Sequence, residues 1–140
     1  MIVPVTPETE RRWAAMSAAV YGTVTPEEML EELGESLPHE FVYIKSGEPV
    51  AMLSLSLRRD YVEGTRRSPV GYIEGIYVEP EYRKTGIARE LIGFAKEWSR
   101  EMGCEEIASD CYLDNSTSRA FHKAVGFSEA GVNVHFTMDI

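Results

Sequence analysis

The stretch VEPEYRKTGIA, residues 78–88, joins the end of an apolar segment to the start of an amphipathic one. The apolar segment before it, residues 70–78, predicts a buried strand. The segment after it predicts a helix ending at Gly103, because its apolar residues recur on one stripe: Ile87, Leu91, Ala95, Trp98 and Met102. A helix N-terminus presents unpaired N–H groups and partial positive charge, so this basic, Gly-containing turn favours phosphate binding. An ordinary strand–turn–helix connection with exposed basic residues is the alternative.

Two further helix starts precede this region. Thr6-Pro7-Glu8 and Thr25-Pro26 each place Thr at an N-cap and Pro at the first helical position. Thr25 and Glu28 form a capping box in the second, where Met29, Leu33 and Leu37 then share one face. The sequence therefore predicts helices over about residues 6–21 and 25–37, with Gly22 ending the first.

Strand patterns fill most of the remaining chain. Residues 41–44 and 53–57, separated by the turn at 46–49, predict an antiparallel hairpin. Residues 107–110 predict a short strand, residues 120–125 a short helix, and the alternating residues 132–138 a last strand. The order ααβββαβαβ predicts a single mixed α/β (α+β) domain over residues 1–140.

Composition limits the function classes. Hydrophobic residues make up 44% of the 140 and charged residues 26%, which is ordinary for a soluble domain. There is no apolar run long enough for a transmembrane helix and no signal-peptide profile. The two cysteines, Cys104 and Cys111, do not resemble a disulfide framework. We therefore expect a cytoplasmic protein with inert thiols. We expect no metal site, because no pattern of metal-ligating residues surrounds His39 or His135.

The chain is acidic, with 23 Asp and Glu against 14 Lys and Arg and a net charge of −9. This balance opposes binding to nucleic acid or to an anionic membrane and favours cationic partners. Solubility alone would also explain the charge.

The run Arg83-x-x-Gly86-x-Ala88, following Val78-x-Pro80, resembles the pyrophosphate-binding signature of GNAT acetyltransferases. The resemblance implies acetyl-CoA as co-substrate and a mixed, mostly antiparallel central sheet that is flanked by helices and splayed between its central strands. It implies that Ile76 and Val78 offer backbone groups to the pantetheine arm. By the same resemblance the diphosphate lies on the turn formed by Arg83, Lys84, Thr85, Gly86, Ile87 and Ala88. The glycine spacing differs from that of the dinucleotide-binding fingerprint.

A second resemblance to GNAT proteins lies nearer the C-terminus. Asn115, Phe121-His122 and Gly126-Phe127 match the family's helix that begins with Asn near the cofactor and ends with Gly-Phe. This implies that Asn115 and Phe121 contact the cofactor. The family often has a Tyr at the position of His122, as the acid that protonates the departing thiolate. An imidazole is able to do this near neutral pH, but water is too, and packing against the cofactor is the other alternative.

From about Arg58 to the C-terminus, the chain resembles one subgroup of aminoglycoside 6'-N-acetyltransferases. The matching segments are Asp60-Tyr61-Val62-x-Gly64, Ser68-Pro69-Val70, Ile73-Glu74-Gly75-Ile76, Ala108-Ser109-Asp110 and Asp114-Asn115. The resemblance implies direct acetyl transfer from acetyl-CoA to the 6'-amine of an aminoglycoside, antibiotic resistance, and a homodimer. Two alternatives are an acetyltransferase acting on another small polycationic amine or a protein N-terminus, and a non-catalytic acetyl-CoA-binding module.

Two carboxylates are candidates for chemistry. Glu74 interrupts an otherwise apolar strand, where an unpaired charge would cost several kcal/mol, and Asp110 ends the next strand. Gly75 is a candidate for the bulge at which GNAT sheets splay. The resemblance implies that Glu74 and Asp110 bind ammonium groups, that one of them is the base, and that Tyr21 and Tyr61 form aromatic walls. Structural salt bridges and ordinary aromatic packing are the alternatives.

Overall fold

The central sheet has five strands in the order β1-β2-β3-β4-β5 in the computed structural model, which describes residues 1–36 and 39–140. Neighbouring strands are antiparallel from β1 to β4, and β5 runs parallel to β4. The strands are β1 (Ile2–Pro4), β2 (Glu40–Lys45), β3 (Glu48–Arg58), β4 (Val70–Val78) and β5 (Ile107–Ser109). The predicted mixed, mostly antiparallel sheet and its hairpin are confirmed. Strand β1 was not predicted.

Four helices flank the sheet in the described residues, and a short 3-10 turn, Pro80–Tyr82, follows β4. They are α1 (Glu10–Tyr21), α2 (Pro26–Ser36), α3 (Ile87–Glu101) and α4 (Ser116–Ala124). Since successive strand residues point to opposite faces, β3 contributes to both cores. Met52 packs with Trp13 under α1 and α2, whereas Leu53 packs with Leu91 under α3.

The observed starts of α1 and α2 agree only in part with the N-caps predicted from the sequence. The amide of Glu28 donates to Thr25 Oγ1 at 3.2 Å, so the predicted cap of α2 is confirmed. Helix α1 begins at Glu10, later than predicted, because the carbonyl of Thr6 accepts from the amides of both Thr9 and Glu10 and closes a preliminary turn. Leu37, assigned to the apolar face of α2, lies outside the described residues.

A β-bulge in β4 places one residue outside the ladder. Ser54 pairs with Gly75 and Leu55 with Ile73, which leaves Glu74 without a partner in the register. A Cβ at Gly75 would lie 3.4 Å from the hydroxyl oxygen of Tyr21. The bulge predicted at Gly75 is therefore confirmed, and the end of α1 packs directly on it.

The sheet opens between β4 and β5. These strands pair only over Gly71–Ile73 of β4, so its remaining residues, 74–78, have no described strand on that side. This opening is the predicted splay. It exposes the edge of β4 next to the turn that leads into α3.

The last predicted strand does not form within this chain. Residues 127–140 have no helix or strand, and residues 128–140 are all exposed. An alternating segment becomes a strand only where a partner edge supplies hydrogen bonds, and none of the described strands pairs with this one. Its apolar side chains are strongly exposed, with Val132 at 67% and Phe136 at 89%.

Candidate active site

The turn between β4 and α3 carries free backbone amides at a helix N-terminus. Gly86 is the N-cap of α3 with φ 90°, and the amide of Glu90 donates to its carbonyl at 3.0 Å. The amides of residues 86–89 have no such acceptor in the described contacts, as expected for a first helical turn. No atom lies within 4 Å of a Cβ built at Gly86. The turn is therefore an open, amide-lined surface suited to an anion.

The side chains of the turn divide into held and free groups. Arg83 Nε donates to the carbonyl of Val78 at 2.8 Å, which uses one acceptor of the strand end. Thr85 Oγ1 donates to the carbonyl of Tyr82, while Lys84 is exposed with φ 62°. Ile87 is 3% exposed and Ala88 half-buried. Ile87 therefore offers an incoming diphosphate only its amide, whereas Lys84 offers a charge.

Glu74 is held by a cation. Arg58 Nε and Nη2 donate to its Oε1 at 3.1 and 2.8 Å, and Nη2 also donates to Oε2 at 3.0 Å. Ser56 Oγ donates to Oε1 at 2.7 Å. This is the salt bridge foreseen as the structural alternative. The side chains of both ions remain partly exposed, at 42% for Arg58 and 32% for Glu74, so the pair lies at the surface of the bulge.

The two candidate carboxylates belong to one network. The guanidinium of Arg58 stacks 3.4 Å from the ring centroid of Tyr72, and the hydroxyl of Tyr72 donates to Asp110 Oδ2. Desolvation, then the hydrogen bond to Asp110 and its charge, raise the pKa of Tyr72, so the phenol stays protonated and keeps donating. Asp110 is exposed and pairs with no cation within 4 Å in the described chain. Its charge is therefore available to a ligand.

Of the predicted aromatic walls, only Tyr21 contacts the network. Its hydroxyl donates to the carbonyl of Glu74 at 3.2 Å. Burial, followed by the charges of Glu40, Glu74 and Asp110, raises the pKa of Tyr21 to about 12. Tyr61 is 79% exposed in the loop before β4, with no hydrogen bond in the described part of the chain.

His122 belongs to α4, and its side chain contacts β5. Its Nδ1 is 2.7 Å from the carbonyl of Ser118 and its Nε2 is 2.9 Å from Ser109 Oγ. Since a carbonyl only accepts, Nδ1 carries the proton and Nε2 accepts from the serine hydroxyl. This holds the imidazole beside the residue that precedes Asp110.

The predicted cofactor residues near α4 have structural contacts of their own. Asn115 Oδ1 accepts from the amide of Ser118 at 3.1 Å and caps the helix. Phe121 is half-buried against the core, with its ring centroid 5.6 Å from that of His122.

Sequence reasoning missed the residues that hold the carboxylates: Ser56, Arg58 and Tyr72. It also missed Glu40, which is only 5% exposed at the start of β2. Ser54 Oγ donates to Glu40 Oε1 at 2.7 Å and Trp13 Nε1 donates to Oε2 at 3.1 Å. An acid directly before the apolar run at 41–44 was the available signal for Glu40. The contacts of Arg58 depend on strand register, which no local pattern reveals.

Other sites are not supported by the described residues. Two surface hollows of the described residues lie around Arg66 and Glu106 and around Ser99 and Ile107, and neither is lined by Glu74 or Asp110. No group of three or more His, Cys, Asp or Glu suited to a metal occurs in residues 1–36 and 39–140. Within the same ranges, no helix has the length and apolarity needed to cross a bilayer.

The splayed mixed sheet, with an amide-lined turn at its opening, defines the class of acetyltransferases that bind coenzyme A. Residues 8–127 match the acetyltransferase (GNAT) family, and the chain belongs to that family. A relative from Acinetobacter haemolyticus, aminoglycoside N(6')-acetyltransferase type 1, is 41% identical over 81% of this chain and 79% of its own length.

Solved structures agree with this assignment. The apo structure of an aminoglycoside antibiotic 6'-N-acetyltransferase from Acinetobacter haemolyticus has a TM-score of 0.93 and 34% identity, covering 100% of this chain and 99% of that one. AAC(6')-Iy in complex with the bisubstrate analog CoA-S-monomethyl-acetylneamine has a TM-score of 0.91 and 28% identity, covering 100% and 98%. The family uses acetyl-CoA, and relatives of this fold have been solved with coenzyme A or its conjugate.

Proposed function

We propose that this protein transfers the acetyl group of acetyl-CoA to the 6'-amine of aminoglycosides. The observation that carries the proposal is the network that joins Glu74 to Asp110 through Arg58 and Tyr72, beside the open edge of β4. Its acidic groups suit a polycation, and the relatives at 41% and 34% identity are aminoglycoside 6'-N-acetyltransferases. One catalytic domain over residues 1–140 is part of this proposal.

Acetyl-CoA would bind along the opening. Its diphosphate would lie on the amides of residues 86–89, close to Lys84 and Arg83. The pantetheine arm would follow the unpaired edge of β4, where Ile76 is free on that side and the carbonyl of Val78 already accepts from Arg83. Asn115 and Phe121 would border the same arm from α4. Coenzyme A supplies the thioester, and this chain supplies position and charge.

The chemistry requires a neutral amine. An ammonium first releases a proton to Glu74 or Asp110, directly or through water, and the amine nitrogen then attacks the thioester carbonyl. The C–N bond forms and the C–S bond breaks. The nitrogen gives its second proton to water, and the thiolate takes a proton from water or from the imidazolium form of His122. Because Arg58 neutralises Glu74 while Asp110 has no cationic partner among the described residues, the geometry favours Asp110 as the first proton acceptor. Tyr21 and Tyr61 would flank the sugar rings.

The proposed product explains resistance. Acetylation removes a positive charge, and phosphate attraction supplies much of the affinity of a polycation for ribosomal RNA. With a net charge of −9, the enzyme would bind the free drug rather than nucleic acid or an anionic membrane. We place it in the cytoplasm, where acetyl-CoA is available and its free cysteines, Cys104 and Cys111, would stay reduced.

The direct experiment is a thiol-release assay of the purified protein with acetyl-CoA and three classes of acceptor: kanamycin, spermidine and a peptide. Kanamycin is expected to turn over, and a derivative lacking its 6'-amine is expected to be inert. Turnover only with spermidine or the peptide would favour an acetyltransferase with another acceptor. Acetyl-CoA binding with no turnover of any amine would favour a non-catalytic module.

We also propose a homodimer in which the C-terminal segment, residues 132–140, pairs with a second copy of this chain. Every second residue of the segment is apolar, and these side chains are 67% to 122% exposed: Val132, Val134, Phe136, Met138 and Ile140. No amide of residues 128–140 donates to a described backbone acceptor. A segment with one apolar face and unpaired amides matches a sheet edge, and an identical copy offers the outer edge of β5.

Light scattering after size exclusion tests this assembly. The full chain is expected at twice the mass of one copy, and Val134→Asp with Phe136→Asp is expected at the mass of one. The control, Asn133→Asp with Thr137→Asp, adds the same charge on the opposite side of the segment and is expected to stay dimeric. A monomeric full chain, or a dimer that survives the apolar substitutions, would contradict the proposal.

A further inference from the structure

Glu40 is a buried acid with hydrogen-bond donors but no cation. Its side chain accepts from Ser54 Oγ and Trp13 Nε1, and the residue is 5% exposed. No Lys, Arg or His nitrogen lies within 4 Å of it among the described ion pairs. A charge removed from water without a partner is costly, so an amide residue would accept the hydrogen bond from Trp13 at a smaller cost. The position therefore calls for a second explanation.

The location of Glu40 supplies one. Ser54, which binds its carboxylate, pairs in register with Gly75, the neighbour of the bulged Glu74. The charges of Glu40, Glu74 and Asp110 all raise the pKa of Tyr21, so all three acids lie near the end of α1. Strand β3 therefore separates Glu40, on β2, from the bulge of β4 at the candidate acceptor site. The carboxylate of Glu40 lies on the face of the sheet that α1 and α2 cover.

We propose that Glu40 is a proton-linked member of the acceptor site: its carboxyl group releases a proton when a cationic acceptor binds beside Glu74 and Asp110. This inference rests on the acceptor site assigned above. It adds a group that never touches the reacting atoms and acts through charge, so Glu40 is a positioning residue for the polycation.

The physical basis is linkage. Burial, the largest cause, raises the pKa of Glu40 to about 7, with Glu74 adding to it and the bonds from Ser54 and Trp13 opposing it. A carboxyl group with this pKa is about half protonated at neutral pH. An arriving ammonium favours the ionised form and so expels the remaining proton. Binding and deprotonation therefore support each other.

The charges around Glu40 agree with a release of its proton when a cation binds. The groups that act on Glu40 are Trp13 on α1 and Ser54 on β3, through hydrogen bonds, and Glu74 on β4, through its charge. Glu32 on α2 acts through its charge on the neighbouring Tyr21 of α1. Asp110 acts on Tyr21 from beyond β5. His39, the preceding residue, turns its ring 5.2 Å from that of Trp98. Arg58 already neutralises Glu74, so the cation that would complete the set is the acceptor itself.

Calorimetric titration with kanamycin at pH 7, in two buffers of different ionisation enthalpy, counts the protons released on binding. We expect wild type to release about half a proton more than Glu40→Gln, which keeps the shape and a hydrogen-bonding oxygen. The control Glu48→Gln, exposed at the start of β3, is expected to match wild type. Proton uptake by the kanamycin amines is common to all variants and cancels in the difference.

A second variant covers the case in which Glu40→Gln does not fold. Ser54→Ala removes a donor that stabilises the ionised carboxylate, so the pH of maximal proton release is expected to rise. Equal proton counts in wild type, Glu40→Gln and Ser54→Ala overturn the linkage while leaving the acetyltransferase assignment intact. An absence of kanamycin binding in wild type overturns both, and the thiol-release assay then reports separately whether another amine is the acceptor.

Discussion

Arg58 binds the Glu74 carboxylate through both Nε and Nη2, so the bulged acid of the candidate site already holds a cation. The same guanidinium stacks on Tyr72, whose hydroxyl holds Asp110. The two acids are therefore unequal. Glu74 is neutralised and fixed in place, whereas Asp110 keeps a charge exposed to solvent.

This inequality predicts different kinetic effects for the two acids. Asp110→Asn is expected to lower kcat/KM for kanamycin by about 100-fold, since it removes the proposed proton acceptor and an ammonium partner. Glu74→Gln is expected to lower it by about tenfold, because Arg58 already offsets that charge. Acetyl-CoA affinity is expected to stay within about twofold of wild type in both. Steady-state thiol release gives the first quantity and equilibrium binding the second. Unchanged turnover in both variants would remove the assigned acceptor site.

The cofactor turn predicts an effect on acetyl-CoA alone. Gly86 has φ 90° with open space where a Cβ would stand, so Gly86→Ala strains the backbone by about 1 kcal/mol without a clash. It also places a methyl group where the diphosphate would approach, so acetyl-CoA affinity is expected to fall by about tenfold. Gly22→Ala is the matched control, with φ 72° and equally open space at the end of α1. Equal acetyl-CoA affinities in the two variants would contradict phosphate binding at this turn.

The sequence predicted most of the fold and about half of the candidate site. Strands β2 to β5 and the four helices were found because each has an apolar run, a local period or a cap, such as Thr25 on α2. The C-terminal segment was predicted as a strand from its alternation, but alternation does not provide a partner edge. Glu74 was found because an acid interrupts an apolar strand, and Asp110 because an acid stands at the C-terminal end of a strand, directly after β5 in the structure. Arg58 was not, since its role depends on the register that sets β3 beside the bulge of β4.

Close packing behind the site predicts a large loss of stability. A Cβ at Gly71 would lie 1.9 Å from Ser99 Oγ and 2.7 Å from its Cβ, so Gly71→Ala must push α3 away from β4. We expect a loss of about 3 kcal/mol in the free energy of unfolding. Gly93→Ala is the matched control, because Gly93 lies within α3 and a Cβ added there would meet nothing within 4 Å. That variant is expected to gain about 0.5–1 kcal/mol from helix propensity. Urea unfolding of both proteins measures the two values, and a stable Gly71→Ala would mean that Ser99 moves freely.

The buried acid Glu40 predicts how stability depends on pH. Its pKa rises from 4.5 to about 7 on folding, chiefly through burial, so between these values the folded state holds a proton that the unfolded state has lost. The free energy of unfolding therefore falls as pH rises through this window. The contribution is fully present below pH 4.5 and is lost above pH 7, and it amounts to about 3 kcal/mol.

Glu40→Gln removes this titration, so the variant is expected to match wild type near pH 4.5 and to exceed it by about 2–3 kcal/mol at pH 8. The control Glu48→Gln is expected to follow the wild-type curve, because residue 48 is exposed. Urea unfolding at several pH values across this window provides the curves. If the free energies of unfolding of wild type and Glu40→Gln depend on pH in the same way, Glu40 has the same pKa in the folded and unfolded states. Glu40 would then be ionised in the free enzyme at neutral pH. An incoming ammonium would have no proton to displace from it, which would contradict the proposed linkage.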